Sequence, residues 1–160
     1  GWSSNKSIEN QMDSYLNFNL GKNYYSSPFW NVIRKIEKSI NQIPYESAWL
    51  NINRYDENNG KPSEDNLSTL SEIDYLLLSE LEILKPDITI FLTGHSYDKR
   101  VLSILNGSIK QINNFSQKKL CRIESNKIHG KIFRTYHPNY LRRSGLETPI
   151  LNEIHTELSK

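Results

Sequence analysis

The residues best suited to chemistry gather near the C-terminal end, in Lys131-Ile132-Phe133-Arg134-Thr135-Tyr136-His137-Pro138-Asn139-Tyr140-Leu141-Arg142-Arg143. Ile132, Phe133, Thr135 and Tyr136 are β-branched or aromatic and spell a short buried strand. Pro138 cannot donate to a ladder, so the strand should stop at or just before it. His137 is thereby set at the C-terminal end of a strand, the edge where open α/β sheets bind ligands. A loop should follow, carrying Tyr140, Leu141, Arg142 and Arg143. A histidine next to a basic loop with an apolar tip suits chemistry on a base extruded from nucleic acid. The plainer alternative is a capping histidine beside a solvated arginine pair.

A second candidate is Thr93-Gly94-His95-Ser96-Tyr97, which has the strand, Gly-x-Ser and helix order of a serine-hydrolase nucleophile elbow. Asp98 stands where that motif wants a second glycine, and no Gly-rich oxyanion loop is visible. His95, His129, His137 and His155 show no metal-ligand spacing. The single cysteine, Cys121, excludes an internal disulfide framework and a cysteine-ligated cluster, and fits a reducing, cytoplasmic setting.

These residues need elements to position them. Residues 1–26 are polar, with a short helix expected over Ile8 to Leu16. Ser27-Pro28 starts a helix. Phe29, Ile33, Ile36, Ile40 and Ile43 give it one apolar face, and Pro44 should end it. Ser47 to Ile52 is expected as a strand that leads Asn51, Asn53 and Arg54 to a cleft. Asp56 to Ser63 is a loop. Ser63 should cap one long helix striped by Leu67, Leu70, Ile73, Leu77, Leu81 and Leu84 and stopped at Lys85-Pro86. Asp87 to Thr93 is a β-branched run typical of a strand buried on both faces. Gly94 turns the chain into a helix over Asp98 to Leu105. Asn106 to Gln117 is a polar connector, and Cys121 to Gly130 a hairpin-like excursion. Leu146, Ile150, Ile154 and Leu158 make a last helix.

The alternation of helix and strand predicts a single domain over 1–160: an α/β fold, a three-layer α/β/α sandwich with a short, mostly parallel central sheet. No apolar run is long enough to span a bilayer, and no signal peptide opens the chain. Net charge is only +2 but uneven. Asp56 to Asp87 holds nine acids against Lys61 and Lys85, and Lys110 to Arg143 holds nine bases against Glu124. That asymmetry points to an anionic partner for the C-terminal part.

With these elements in order, the chain resembles the uracil-DNA glycosylase superfamily, closest to its iron–sulfur branch and cluster-free relatives. Tyr136-His137-Pro138-Asn139-Tyr140-Leu141-Arg142-Arg143 matches that branch's closing His-Pro-Ser-Tyr-Leu-Leu-Arg motif nearly position by position. Leu76 to Gly94 resembles the segment before it. Trp49-Leu50-Asn51-Ile52-Asn53-Arg54 resembles the strand whose Asn reads the base, and Pro28-Phe29 the pair whose Phe stacks on uracil. The likeness spans roughly Pro28 to Arg143.

The resemblance implies roles. His137 would hydrogen-bond uracil O2 and stabilise the anion that builds as the glycosidic bond breaks. Asn51 would pair with the uracil edge and reject cytosine. Phe29 would stack on the flipped base. Leu141 would wedge into the duplex, while Asn139, Tyr140, Arg142 and Arg143 would hold DNA. It further implies uracil-containing or damaged DNA as partner, a monomer, and, with one cysteine in place of four, no cofactor. Asn139 replaces the usual Ser. The superfamily's opening motif, a first strand ending in a Gly-rich turn with a water-positioning acid or Asn, is not found. The expectation is thus a domain lacking that strand, with Glu9 and Asp13 as carboxylates of no telling spacing. The rival readings are a glycosylase-like module that binds DNA or a protein without cleaving, and a serine hydrolase using Ser96.

Overall fold

The computed structural model describes residues 7–18, 22, 27–54, 63–112 and 114–160. Its elements are α1 (Ile8–Phe18), α2 (Pro28–Ser39), α3 (Glu64–Ser71), α4 (Asp74–Leu84), β1 (Ile88–Phe91), α5 (Asp98–Leu105), β2 (Ser108–Gln111), β3 (Leu120–Glu124), β4 (Lys131–Thr135), α6 (Pro138–Arg143) and α7 (Glu147–Leu158). A 3-10 turn, His95–Tyr97, leads into α5. The expected loop over Asp56 to Ser63 lies almost wholly outside the described residues.

The strands form one open sheet in the order β1-β4-β3-β2. β1 runs parallel to β4, with Ile88 opposite Lys131 and Phe91 opposite Arg134. β3 is antiparallel to both β4 and β2. The fold is therefore mixed α/β, and the expected mostly parallel sheet is corrected: two of the three pairings are antiparallel. The reason is chain length between strands. Eight residues separate β2 from β3 and six separate β3 from β4, too few for the crossover that a parallel pair requires. Only β1 and β4 are far enough apart in sequence. The hairpin-like excursion after Cys121 is the β3–β4 turn, and the polar connector contains β2, whose side chains are mostly exposed and carry no apolar run.

The core falls into two clusters. Neighbouring residues of β4 point to opposite faces, and Phe133 and Ile132 belong to different clusters. Phe133 and Leu120 join Val32 and Ile36 of α2, Leu141 of α6, and Ile150, Leu151 and Ile154 of α7. Ile132, Cys121 and Ile123 join Leu77 and Leu81 of α4 with Val101 and Leu105 of α5. Each such side chain contributes about 1.5–3 kcal/mol on burial.

Several expected boundaries move. α2 ends at Ser39, before Pro44. Asn41 takes a left-handed conformation at φ 57°, its N–H bonds to Lys38 O, and the Gln42 N–H bonds to Glu37 O. That pattern closes a helix without help from proline. The long leucine-striped helix is two helices, broken at Glu72–Ile73. The second begins where Asp74 meets the Arg100 guanidinium, whose Nε donates to both carboxylate oxygens at 3.0 and 3.1 Å. Lys85, left-handed, and Pro86 stop it as expected. Ser47 to Ile52 forms no strand. Its groups are taken by side chains: Ser47 donates to the buried Glu37, and Arg100 donates to Ile52 O at 3.1 Å and to Asn53 Oδ1 at 2.8 Å. Among the described residues no helix is long and apolar enough to cross a membrane.

Candidate nucleic-acid interface

β1 and β4 end side by side, and the Gly94 N–H extends their pairing by donating to Thr135 O at 2.9 Å. Gly94 sits at φ 71°, a conformation glycine adopts without a Cβ penalty. The chain leaves β1 into His95–Tyr97 and leaves β4 into Tyr136 and His137. The His95 and Tyr136 rings are edge-to-face at 6.0 Å.

The segment after His137 is a short helix rather than the expected loop. Pro138 occupies its first position, where a missing N–H costs nothing. His137 is its N-cap, and the ring Nδ1 accepts from the Asn139 N–H at 3.3 Å. An accepting Nδ1 is unprotonated, so in the neutral ring the proton sits on Nε2, which is left as a donor. Burial first, and the nearby Arg143 charge second, hold the His137 pKa below the ordinary histidine value. Both effects favour the neutral imidazole, whose one N–H is then on Nε2.

α2 and α6 pack together, and the first turn of α2 brings Phe29 to His137 with ring centroids 5.1 Å apart. Phe29 in turn meets Trp30 at 5.0 Å and Trp49 at 6.2 Å, and Phe18 joins Trp30 and Trp49 at 5.1 and 5.8 Å. Phe29 and His137, far apart in sequence, thus lie side by side. Asn51 is exposed two residues beyond Trp49, and no contact joins it to His137. Trp30, Trp49 and Phe18 were not expected in this neighbourhood, although an apolar Trp two residues from Asn51 was a visible signal.

On α6, Asn139, Tyr140, Arg142 and Arg143 are exposed. Tyr140 stacks at a tilt on Tyr136, centroids 4.4 Å apart. Leu141 is the exception and a correction. It is 0% exposed, inside the cluster with Val32, Phe133 and Ile150, so it offers no wedge. Helical periodicity explains this: Leu141 and Pro138 are three apart and share the inward face. Leu120 pairs with Thr135, so the turn before β3 brings the exposed Lys118 and Lys119 to this same end.

Arg134 is fully buried just beneath. It faces Asp98 with Nε 2.7 Å from Oδ1 and with one terminal nitrogen donating to Oδ2 at 2.8 Å, and it donates to the Lys118 and Gln117 carbonyls at 2.9 and 2.6 Å. A guanidinium paired with a carboxylate and hydrogen-bonded through both terminal nitrogens can stay charged in the core, and here it ties the β3 turn to α5.

Ser96 is exposed in the 3-10 turn, and no hydrogen bond joins it to a histidine. Glu9 lies in the first turn of α1, its pKa lowered by its own backbone N–H and by Ser7, and is engaged at that helix start. Asp13 is exposed on α1. Among the described residues no group of three His, Cys, Asp or Glu could hold a metal ion. Compared with protein-family models, curated proteins and solved structures, the chain matches none.

Proposed function

We propose that the chain is a uracil-DNA-glycosylase-like protein that hydrolyses the N-glycosidic bond of uracil or a related damaged base in DNA. The observation that carries this reading is the geometry of His137: Nδ1 accepts from the Asn139 N–H, which in the neutral ring leaves the proton on Nε2, and the ring lies 5.1 Å from that of Phe29. A donor that need not lose a proton suits an oxyanion developing on the base. As the bond from C1′ to the base nitrogen breaks, its electron pair leaves on the base. A water oxygen then bonds to C1′, and the proton it releases neutralises the departing base. Phe29 would stack on the base and Asn51 would read its edge. Arg142 and Arg143 would hold phosphates. The finer architecture proposed is three layers, with α2, α6 and α7 on one face of the sheet and α4 and α5 on the other.

A second reading is base binding without cleavage. One observation favours it: among the described residues no carboxylate is hydrogen-bonded to His137. The test is incubation with a uracil-containing oligonucleotide and an assay for abasic sites. Cleavage that is lost in His137→Ala supports the glycosylase. DNA binding without abasic sites selects the second reading.

A further inference from the structure

We infer that the α6 surface takes single-stranded rather than duplex nucleic acid, with Tyr140 as the stacking platform for a base. This rests on the base-binding reading above and names its substrate class. The first ground is what the helix buries. Proteins that open a duplex frequently insert a protruding apolar side chain between base steps. At the expected position stands Leu141, 0% exposed and packed among Val32, Phe133 and Ile150. To serve as a wedge it would have to leave the core.

The second ground is what the helix exposes. Tyr140 is 44% exposed and is backed by Tyr136 at 4.4 Å, so one ring holds the other in place. A tyrosine braced on a second aromatic has little rotamer freedom left to lose when a base settles on it. Every base has a π-face, so such a platform tolerates sequence but requires an unpaired base.

The third ground is charge. Arg142 and Arg143 flank this platform along α6, and Lys118 and Lys119 are exposed at the same end of the sheet. Asp98, which also lies near this end, is neutralised by Arg134. Cations beside exposed aromatics are the combination that tracks a flexible single strand.

The experiment uses fluorescence anisotropy with a labelled uracil-containing oligonucleotide, alone and annealed to its complement, alongside abasic-site formation on each. Expected are binding at least roughly tenfold tighter to the single strand and a roughly tenfold loss for Tyr140→Ala. Tyr140→Phe, which keeps the ring, should bind as the parent does. Thermal unfolding of each variant verifies that it is folded. Equal or tighter duplex binding, or an unaffected Tyr140→Ala, overturns the inference. If His137-dependent abasic sites persist in that case, the glycosylase reading stands without it. No binding to either oligonucleotide and no abasic sites would remove both.

Discussion

The two ends of strand β4 begin from similar residue types and put them to opposite uses. At the Lys131 end, polar groups are spent on the fold. The Lys131 N–H bonds to Asp87 O, and its ammonium donates to the Glu157 and Leu158 carbonyls at 2.8 and 3.1 Å, capping α7. Gly130 presses against Asp87 so closely that an added Cβ would lie 2.3 Å from the Asp87 carbonyl oxygen. At the His137 end the backbone is equally well closed, yet Asn139, Tyr140, Arg142 and Arg143 remain exposed. A cation on a helix C-terminus is structural. Arg142 and Arg143 also lie in the last turn of α6, but among the described residues no hydrogen bond or ion pair ties their side chains to the fold, and this contrast makes the second end the candidate interface.

The contrast can be broken most directly with matched glycines. Gly130→Ala should destabilise by about 3 kcal/mol or more, since both a backbone clash and φ +84° oppose it. Gly145, at the end of α6, has φ +67° and open space around its Cβ direction. Gly145→Ala should therefore cost only about 1 kcal/mol. Urea unfolding measures both, and equal losses would show that the Lys131 end is not the tighter one.

Next in size, Leu141→Ala should cost about 2–5 kcal/mol, the range for emptying a packed leucine site. Its exposed neighbour Tyr140→Ala should lie within about 1 kcal/mol of the parent. If Leu141→Ala left stability unchanged, α6 would not be docked as described. Lys131→Met should lower stability by about 0.5–1 kcal/mol through the lost cap on α7. The paired change Arg142→Gln should leave stability alone and reduce the salt dependence of DNA binding by about one phosphate contact.

The smallest effect concerns protonation. The folded pKa of His137 lies below the ordinary value of 6.5. Between the two values the unfolded chain binds more protons than the folded one, so stability rises with pH there. Stability should fall as pH drops through 6.5, and His137→Asn should remove that component. Arg143→Gln takes away the lesser of the two causes, so the His137 pKa should rise without returning fully to normal. An NMR titration of the ring follows it. No change on removing Arg143 would mean that burial alone sets the value.

Much of this was legible in the chain. The stop at Lys85-Pro86, the helix from Ser27-Pro28 and the strand ending before His137 all follow from local chemistry, and all form. The β-branched run Asp87 to Thr93 yields a strand at Ile88–Phe91, but at the sheet edge and half-buried rather than buried on both faces. Trp49 and Leu50 invited a strand at 47–52. That segment, with Asn53 beside it, instead trades a ladder for Glu37, Tyr97 and Arg100, partners drawn from two separate stretches. β2, with its mostly exposed Ser-Ile-Lys-Gln, had no hydrophobic signal to announce it. The meeting of Phe29 with His137 joins two residues that the resemblance had singled out separately, whereas the burial of Leu141 contradicts the exposed wedge it implied.

By itself the sequence determined where the chain must bend and stop, because proline, glycine and apolar periodicity act within a few residues. It also determined that His137 would sit at a strand end and that cations would crowd the C-terminal third. Only the tertiary structure decided the direction of β2 and β3, which depends on turn lengths between strands no hydrophobic pattern identifies. Only it decided which residues of α6 face the core, because that depends on the docking of α2 and α7 against one side of a short helix. That one rotation buries Leu141, leaves Tyr140 and the arginines in solvent, and sets the chemistry available at this end.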